Sequence, residues 1–138
     1  MSSLCILPEQ FSSILVSTLV FERRGATLAR VAGQLTLDRG YRIVVRERVL
    51  FDRLPALIEW YGYEVWQGEE KLLWYDSQPH PDDPRLQSTH PHHKHIPPEI
   101  KHNRIPAPTM SFTHPNLPAV IREVEVMLAI SGSDLRAV

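Results

Sequence analysis

Ala29-Arg30-Val31-Ala32-Gly33-Gln34-Leu35-Thr36-Leu37 alternates, and Tyr41-Arg42-Ile43-Val44-Val45-Arg46-Glu47-Arg48-Val49-Leu50-Phe51 alternates again. Ala29, Val31, Gly33, Leu35 and Leu37 fall on one side, and Arg30, Gln34 and Thr36 on the other. A period of two is the signature of a half-buried strand. In the second run Tyr41, Ile43, Val45, Val49 and Phe51 face one way, while Arg42, Arg46 and Arg48 face the other. Asp38-Arg39-Gly40 lies between the runs and reads as a turn, with Gly40 free to take positive φ. Two alternating runs joined by a tight turn predict an antiparallel pair.

The flanks extend this pair into a meander. Upstream, Ile14 to Phe21 is apolar and β-branched, and Arg23-Arg24-Gly25 closes it as a turn. Downstream, Ile58 to Gln67 carries Trp60, Tyr61, Tyr63 and Trp66; Gly68-Glu69-Glu70 turns the chain, and Leu72 to Asp76 follows as a short strand. Residues 14 to 76 therefore predict a twisted antiparallel sheet of about five strands. Its three arginines read as a wet face paired with Glu47 or Glu59, and Trp60, Trp66 and Trp74 as core or sheet-face aromatics.

Composition changes at Pro79. Pro79, Pro81, Pro84, Pro91, Pro97, Pro98, Pro106 and Pro108 argue against a regular helix or a central strand, so residues 79 to 115 read as a long Pro/His loop. A helix is expected over residues 117 to 130, with Pro118 in its first turn. Leu117, Val120, Ile121, Val124 and Leu128 share its apolar face, and Ser131-Gly132-Ser133 reads as its end. A further helical turn is expected over residues 8 to 13. The fold class is α+β in one domain, residues 1 to 138, with the C-terminal helix packed on one face of the sheet.

A net charge of −1 excludes a global basic field for nucleic acid, so any such contact needs a local patch. Cys5 is the single cysteine, which excludes an internal disulfide and a cysteine-based zinc site. The N-terminus has no basic n-region, and Glu9 and Gln10 interrupt its apolar stretch; neither a signal peptide nor a membrane span is expected.

The chemistry concentrates in His90-Pro91-His92-His93-Lys94-His95, which holds four of the seven histidines. Imidazole titrates near neutrality, so it can accept a proton, donate one or bind a metal. One reading is metal-free cleavage of RNA by its own 2′-hydroxyl. His93 and His95 then form the acid–base pair, and Lys94 stabilises charge. Tyr63 and Asp76 orient, while Arg46, Arg48, Tyr61 and His92 meet the substrate. No cofactor is needed. A second reading is a hydrolase holding a divalent metal such as zinc on His92, His93 and His95, with Asp76, His80 or Asp82 completing the site. His93 and His95 share a side if the segment is extended, His92 and His95 if it is helical. In a third reading the histidines only shape their loop, and the protein binds a partner without catalysis.

Two stretches in this order resemble a known family. One is Tyr61-Gly62-Tyr63-Glu64-Val65-Trp66-Gln67 followed by Leu72 to Pro81; the other is His90 to His95. Together they are similar to the TumE-type toxins of toxin–antitoxin loci, which show a Tyr-x-Tyr strand, an Arg-Trp/Tyr-Asp-Asn strand end and a Pro-His-His-Lys-His run. Trp74 stands where that pattern has arginine, and Ser77 where it has asparagine. The resemblance implies a small cytoplasmic toxin, with a cognate antitoxin of helix-turn-helix type and no membrane association. Exposed sheet edges add the expectation of a homodimer.

Overall fold

The computed structural model describes residues 7–137. In chain order the elements are α1 (Leu7–Gln10), β1 (Val16–Ser17), β2 (Val20–Arg23), β3 (Leu28–Thr36), β4 (Tyr41–Leu50), β5 (Leu57–Gln67), β6 (Glu70–Asp76), β7 (His93–His95), β8 (Arg104–Pro106) and α2 (Leu117–Ala137). The strands form one antiparallel sheet in the order β1-β3-β4-β5-β6-β7-β8, with β2 also on β3. The α+β class and the C-terminal helix therefore stand, and the sheet has eight strands rather than about five.

The added strands have two sources. The first expected strand is split into β1 and β2 by a kink at Thr18-Leu19, which crosses Gly33 so closely that a Cβ there would lie 2.5 Å from the Thr18 carbonyl oxygen. The kink is held by the Thr18 amide donating to the Gln34 carbonyl and the Gln34 amide donating to Thr18 Oγ1. The other two strands come from the segment expected to be a loop. Pro91 and Pro97 bracket His93–His95 without entering it, and Pro106 sits in β8 at the sheet edge, where a missing N–H breaks no ladder. The rest of that segment is irregular, apart from a 3-10 turn at Pro84–Thr89 capped by Asp83. The helix α2 also runs past Ser131-Gly132-Ser133 to Ala137. Cys5 lies outside the described residues.

The sheet has two unlike faces. On one face Val31, Leu35, Ile43, Val45, Tyr61, Tyr63, Val65, Leu73 and Tyr75 pack under Leu117, Val120, Ile121 and Val124 of α2. The other face carries Arg30, Arg46, Arg48, Trp60, Glu64, Trp66, Trp74 and Asp76, and neither described helix covers it. No described helix is long and apolar enough to cross a membrane.

Glu47 follows the alternation of β4 and so departs from the expected pairing with an arginine. It is buried on the α2 face rather than paired with an arginine across the wet face; Arg46 pairs with Glu64 instead, at 3.2 Å. The Tyr63 hydroxyl donates to Glu47, and Asn116 Nδ2 donates to Tyr63 Oη at 3.2 Å. Asn116 also accepts from the Ser111 amide and stands just before α2, so this buried chain ties the helix start to the sheet. Burial pushes the Glu47 carboxyl above the usual range, and the Tyr63 bond opposes it only in part.

Because the folded pKa lies above the unfolded one, Glu47 favours folding most at acidic pH, and that contribution is lost as pH rises through the folded value. Glu47→Gln keeps an acceptor for Tyr63 and removes the charge. Urea midpoints across a pH series are expected to show wild type losing ground to Glu47→Gln as pH rises from about 4.3. A difference constant with pH would refute the buried-carboxylate assignment.

Candidate active site

The strands β6 and β7 place the site. Their register pairs Trp74 with His95, Tyr75 with Lys94 and Asp76 with His93. Paired residues project to the same side, and neighbours along a strand to opposite sides. His93, His95, Asp76 and Trp74 therefore share the face away from α2. Lys94 and Tyr75 point to the α2 face, where Lys94 pairs with Glu123 and the Tyr75 hydroxyl donates to Glu123 at 2.8 Å.

Both imidazoles are fixed by backbone. His93 Nδ1 lies 3.0 Å from the Pro91 carbonyl, and His95 Nδ1 lies 2.7 Å from the Ile100 carbonyl. A carbonyl oxygen can only accept, so each Nδ1 carries the proton. The two Nε2 atoms then face each other at 3.1 Å. One ligand atom from each of Asp76, His93 and His95 lies within 4.8 Å of the other two. The indole of Trp74 stacks on the His95 ring with 3.6 Å between centroids, and the His80 ring stands edge-on to His93 at 4.9 Å. Asp76 is itself positioned by the Gln78 amide (2.6 Å) and Trp74 Nε1 (3.3 Å), which donate to different oxygens.

Burial is the main reason that the His95 pKa falls to about 4, with the charges of His93 and Arg104 acting in the same direction; the Ile100 carbonyl and Asp76 oppose it. His95 is thus a neutral imidazole at physiological pH. Arg104 pairs with His95 across β7 and β8, and its Nε is buried with no hydrogen-bond partner. A buried cationic donor left open beside two imidazoles is an anion-seeking group.

A groove of about 400 Å³ lies on the same face, lined by Arg24, Leu28, Arg30, Arg46, Arg48 and Trp60 among others. Arg46, Gly62, Asp76 and His93 form one cross-strand row. Strand spacing puts Arg46 and His93 about 14 Å apart along it. Gly62 contributes no side chain to the row, and the Trp60 indole lies 3.7 Å from where its Cβ would stand. Trp60 is still 36% exposed, a flat aromatic surface between the arginines and the histidines.

The residues singled out in the sequence separate accordingly. His93, His95 and Asp76 come together, and Arg46 and Arg48 are exposed on their face. Lys94 is on the other face and neutralised by Glu123, so it cannot hold charge beside the histidines. Tyr61 and Tyr63 are both 0% exposed, which prevents either from stacking on a base or touching a phosphate. The His92 ring lies parallel to that of Tyr61, with its Nδ1 2.7 Å from the hydroxyl, so it joins the α2-side packing and stands apart from the Asp76/His93/His95 group. Arg104 and Trp74 belong at the site, although the sequence reading gave neither a role there. Ser77, the other departure from the TumE-type pattern, is buried and extends β6 by accepting from the Tyr61 amide at 3.0 Å.

Lys94→Met should therefore affect stability rather than chemistry. The expected loss is about 1–2 kcal/mol, from stranding Glu123 in a half-buried position. Growth inhibition per folded molecule should be unchanged. Full folding with abolished inhibition would return Lys94 to the site.

No curated protein and no solved structure matches the chain. The model of the family described as Toxin TumE matches residues 6–128. That span contains the paired strands β6 and β7, the arginine groove and the start of α2, and the chain belongs to the Toxin TumE family.

Proposed function

We propose that this toxin-family protein is an endoribonuclease whose reacting centre is the Asp76/His93/His95 cluster. Family membership implies a cognate antitoxin as its partner. The observation that carries the reading is the row Arg46-Gly62-Asp76-His93, which joins an arginine-lined groove with an exposed indole to paired imidazoles on one open face. Arginines that meet phosphates and an aromatic that meets bases are what a single strand of RNA needs, at a net protein charge of only −1.

RNA cleavage by the 2′-hydroxyl removes the 2′-proton, forms the O2′–P bond, breaks the P–O5′ bond and returns a proton to O5′. The entering and leaving oxygens lie in line on opposite sides of phosphorus. Two Nε2 atoms 3.1 Å apart cannot straddle that centre, so His93 and His95 do not divide into a base on one side and an acid on the other. The cluster acts at one end, and Arg104 beside it supplies the cation that the sequence reading gave to Lys94.

The test is purified chain on total cellular RNA, beside His93→Ala/His95→Ala and Arg46→Ala/Arg48→Ala. Losing the imidazoles should reduce the cleavage rate at least about 100-fold. Losing the arginines should weaken RNA binding and flatten its salt dependence. Intact cleavage in the histidine double variant, or no cleavage by wild type with or without added divalent ions, would refute the reading.

A further inference from the structure

We infer that Asp76, His93 and His95 form a binding site for one divalent cation of the zinc class, with Nε2 of each histidine and a carboxylate oxygen as ligands. The binding stands on geometry alone, whereas its use on a phosphate rests on the ribonuclease reading above.

The tautomers carry the argument. With each Nδ1 donating to a carbonyl, Nε2 is the ring nitrogen that each imidazole has left for a ligand. The two Nε2 atoms stand 3.1 Å apart. Asp76 adds a third ligand atom, a carboxylate oxygen within 4.8 Å of both.

The dimensions agree. Zinc–nitrogen bonds of about 2.0–2.1 Å at a tetrahedral angle separate the two nitrogens by about 3.3 Å. The observed 3.1 Å needs only a small opening. Three protein ligands with a fourth position free is the arrangement of catalytic rather than structural zinc sites. Carbonyl oxygens on both Nδ1 atoms are the outer partners that metal-bound histidines use to fix tautomer and ring direction. Arg104, the cross-strand partner of His95, stands beside the cluster as the cation nearest a phosphate that the ion would polarise. His92 takes no part, because its ring is engaged with Tyr61.

The experiment uses the full chain, stripped of metal by dialysis against chelator and titrated calorimetrically with Zn²⁺, Co²⁺ and Mn²⁺. Trp74 is stacked on His95, so its fluorescence reports occupancy by paramagnetic Co²⁺ directly. One ion per chain is expected for Zn²⁺, with quenching by Co²⁺. Affinity should fall more than about tenfold in Asp76→Asn and further in His93→Gln and His95→Gln. It should be unchanged in His92→Ala, which controls for loose binding along the histidine tract. Circular dichroism confirms that each variant is folded, and Asp76→Asn carries the test if a histidine variant is not. No binding by folded wild type overturns the proposal, as does binding that is lost in His92→Ala but kept in Asp76→Asn. RNA cleavage undiminished in excess chelator would detach the metal from catalysis and leave the ribonuclease reading standing. One bound ion with no cleavage of any RNA would do the reverse.

Discussion

The pairing of three residues with three others organises this molecule. When His93-Lys94-His95 adds to Trp74-Tyr75-Asp76, strand geometry leaves no choice about which side chains meet. Two imidazoles and a carboxylate go to the open face, and a lysine and a tyrosine go to the helix. A shift of one residue in that register would reverse every assignment. The loop ends then lock the result, because Pro91 and Ile100 present the carbonyls that hold both Nδ1 atoms.

The division of labour between the two faces follows from this. The α2 face is closed by apolar packing and by buried polar chains: Glu47 with Tyr63 and Asn116, and Lys94 with Glu123 and Tyr75. Its polar groups are satisfied internally, so they stabilise the docking of the helix and are unavailable to a ligand. The open face keeps its capacity. Arg30 and Arg48 make no side-chain hydrogen bond or ion pair among the described residues, and Arg104 Nε is buried without a partner. In the proposed function these donors meet the phosphates of the RNA.

Much of this was legible in the residues. The period of two in 29–37 and 41–51 set the hairpin of β3 and β4, Pro118 set the helix start, and the arginines of β4 emerged on the wet face. Three things were hidden. The prolines of 79–108 mark segment ends rather than a structureless loop, and only the tertiary partner β6 reveals that the gap between Pro91 and Pro97 fits a strand. Tyr61 and Tyr63 look like accessible aromatics because nothing local shows that their side of β5 lies under α2. Lys94 sits between two site histidines in sequence, and that adjacency is the very reason it is absent from their face. Arg104 carries no motif; its place depends on β8 pairing with β7.

In the proposed function the face opposite α2 is the working surface. The most direct measurement is amide chemical-shift mapping of the isotope-labelled chain with a 2′-O-methyl RNA, which can bind but cannot be cut by its own hydroxyl. Perturbations are expected along Arg30, Arg46, Arg48, Trp60 and Gly62, continuing to Asp76, His93 and Arg104, with the exposed side of α2 unmoved. Perturbations confined to α2, or none at RNA concentrations that saturate the arginine groove of a comparable single-strand binder, would contradict it.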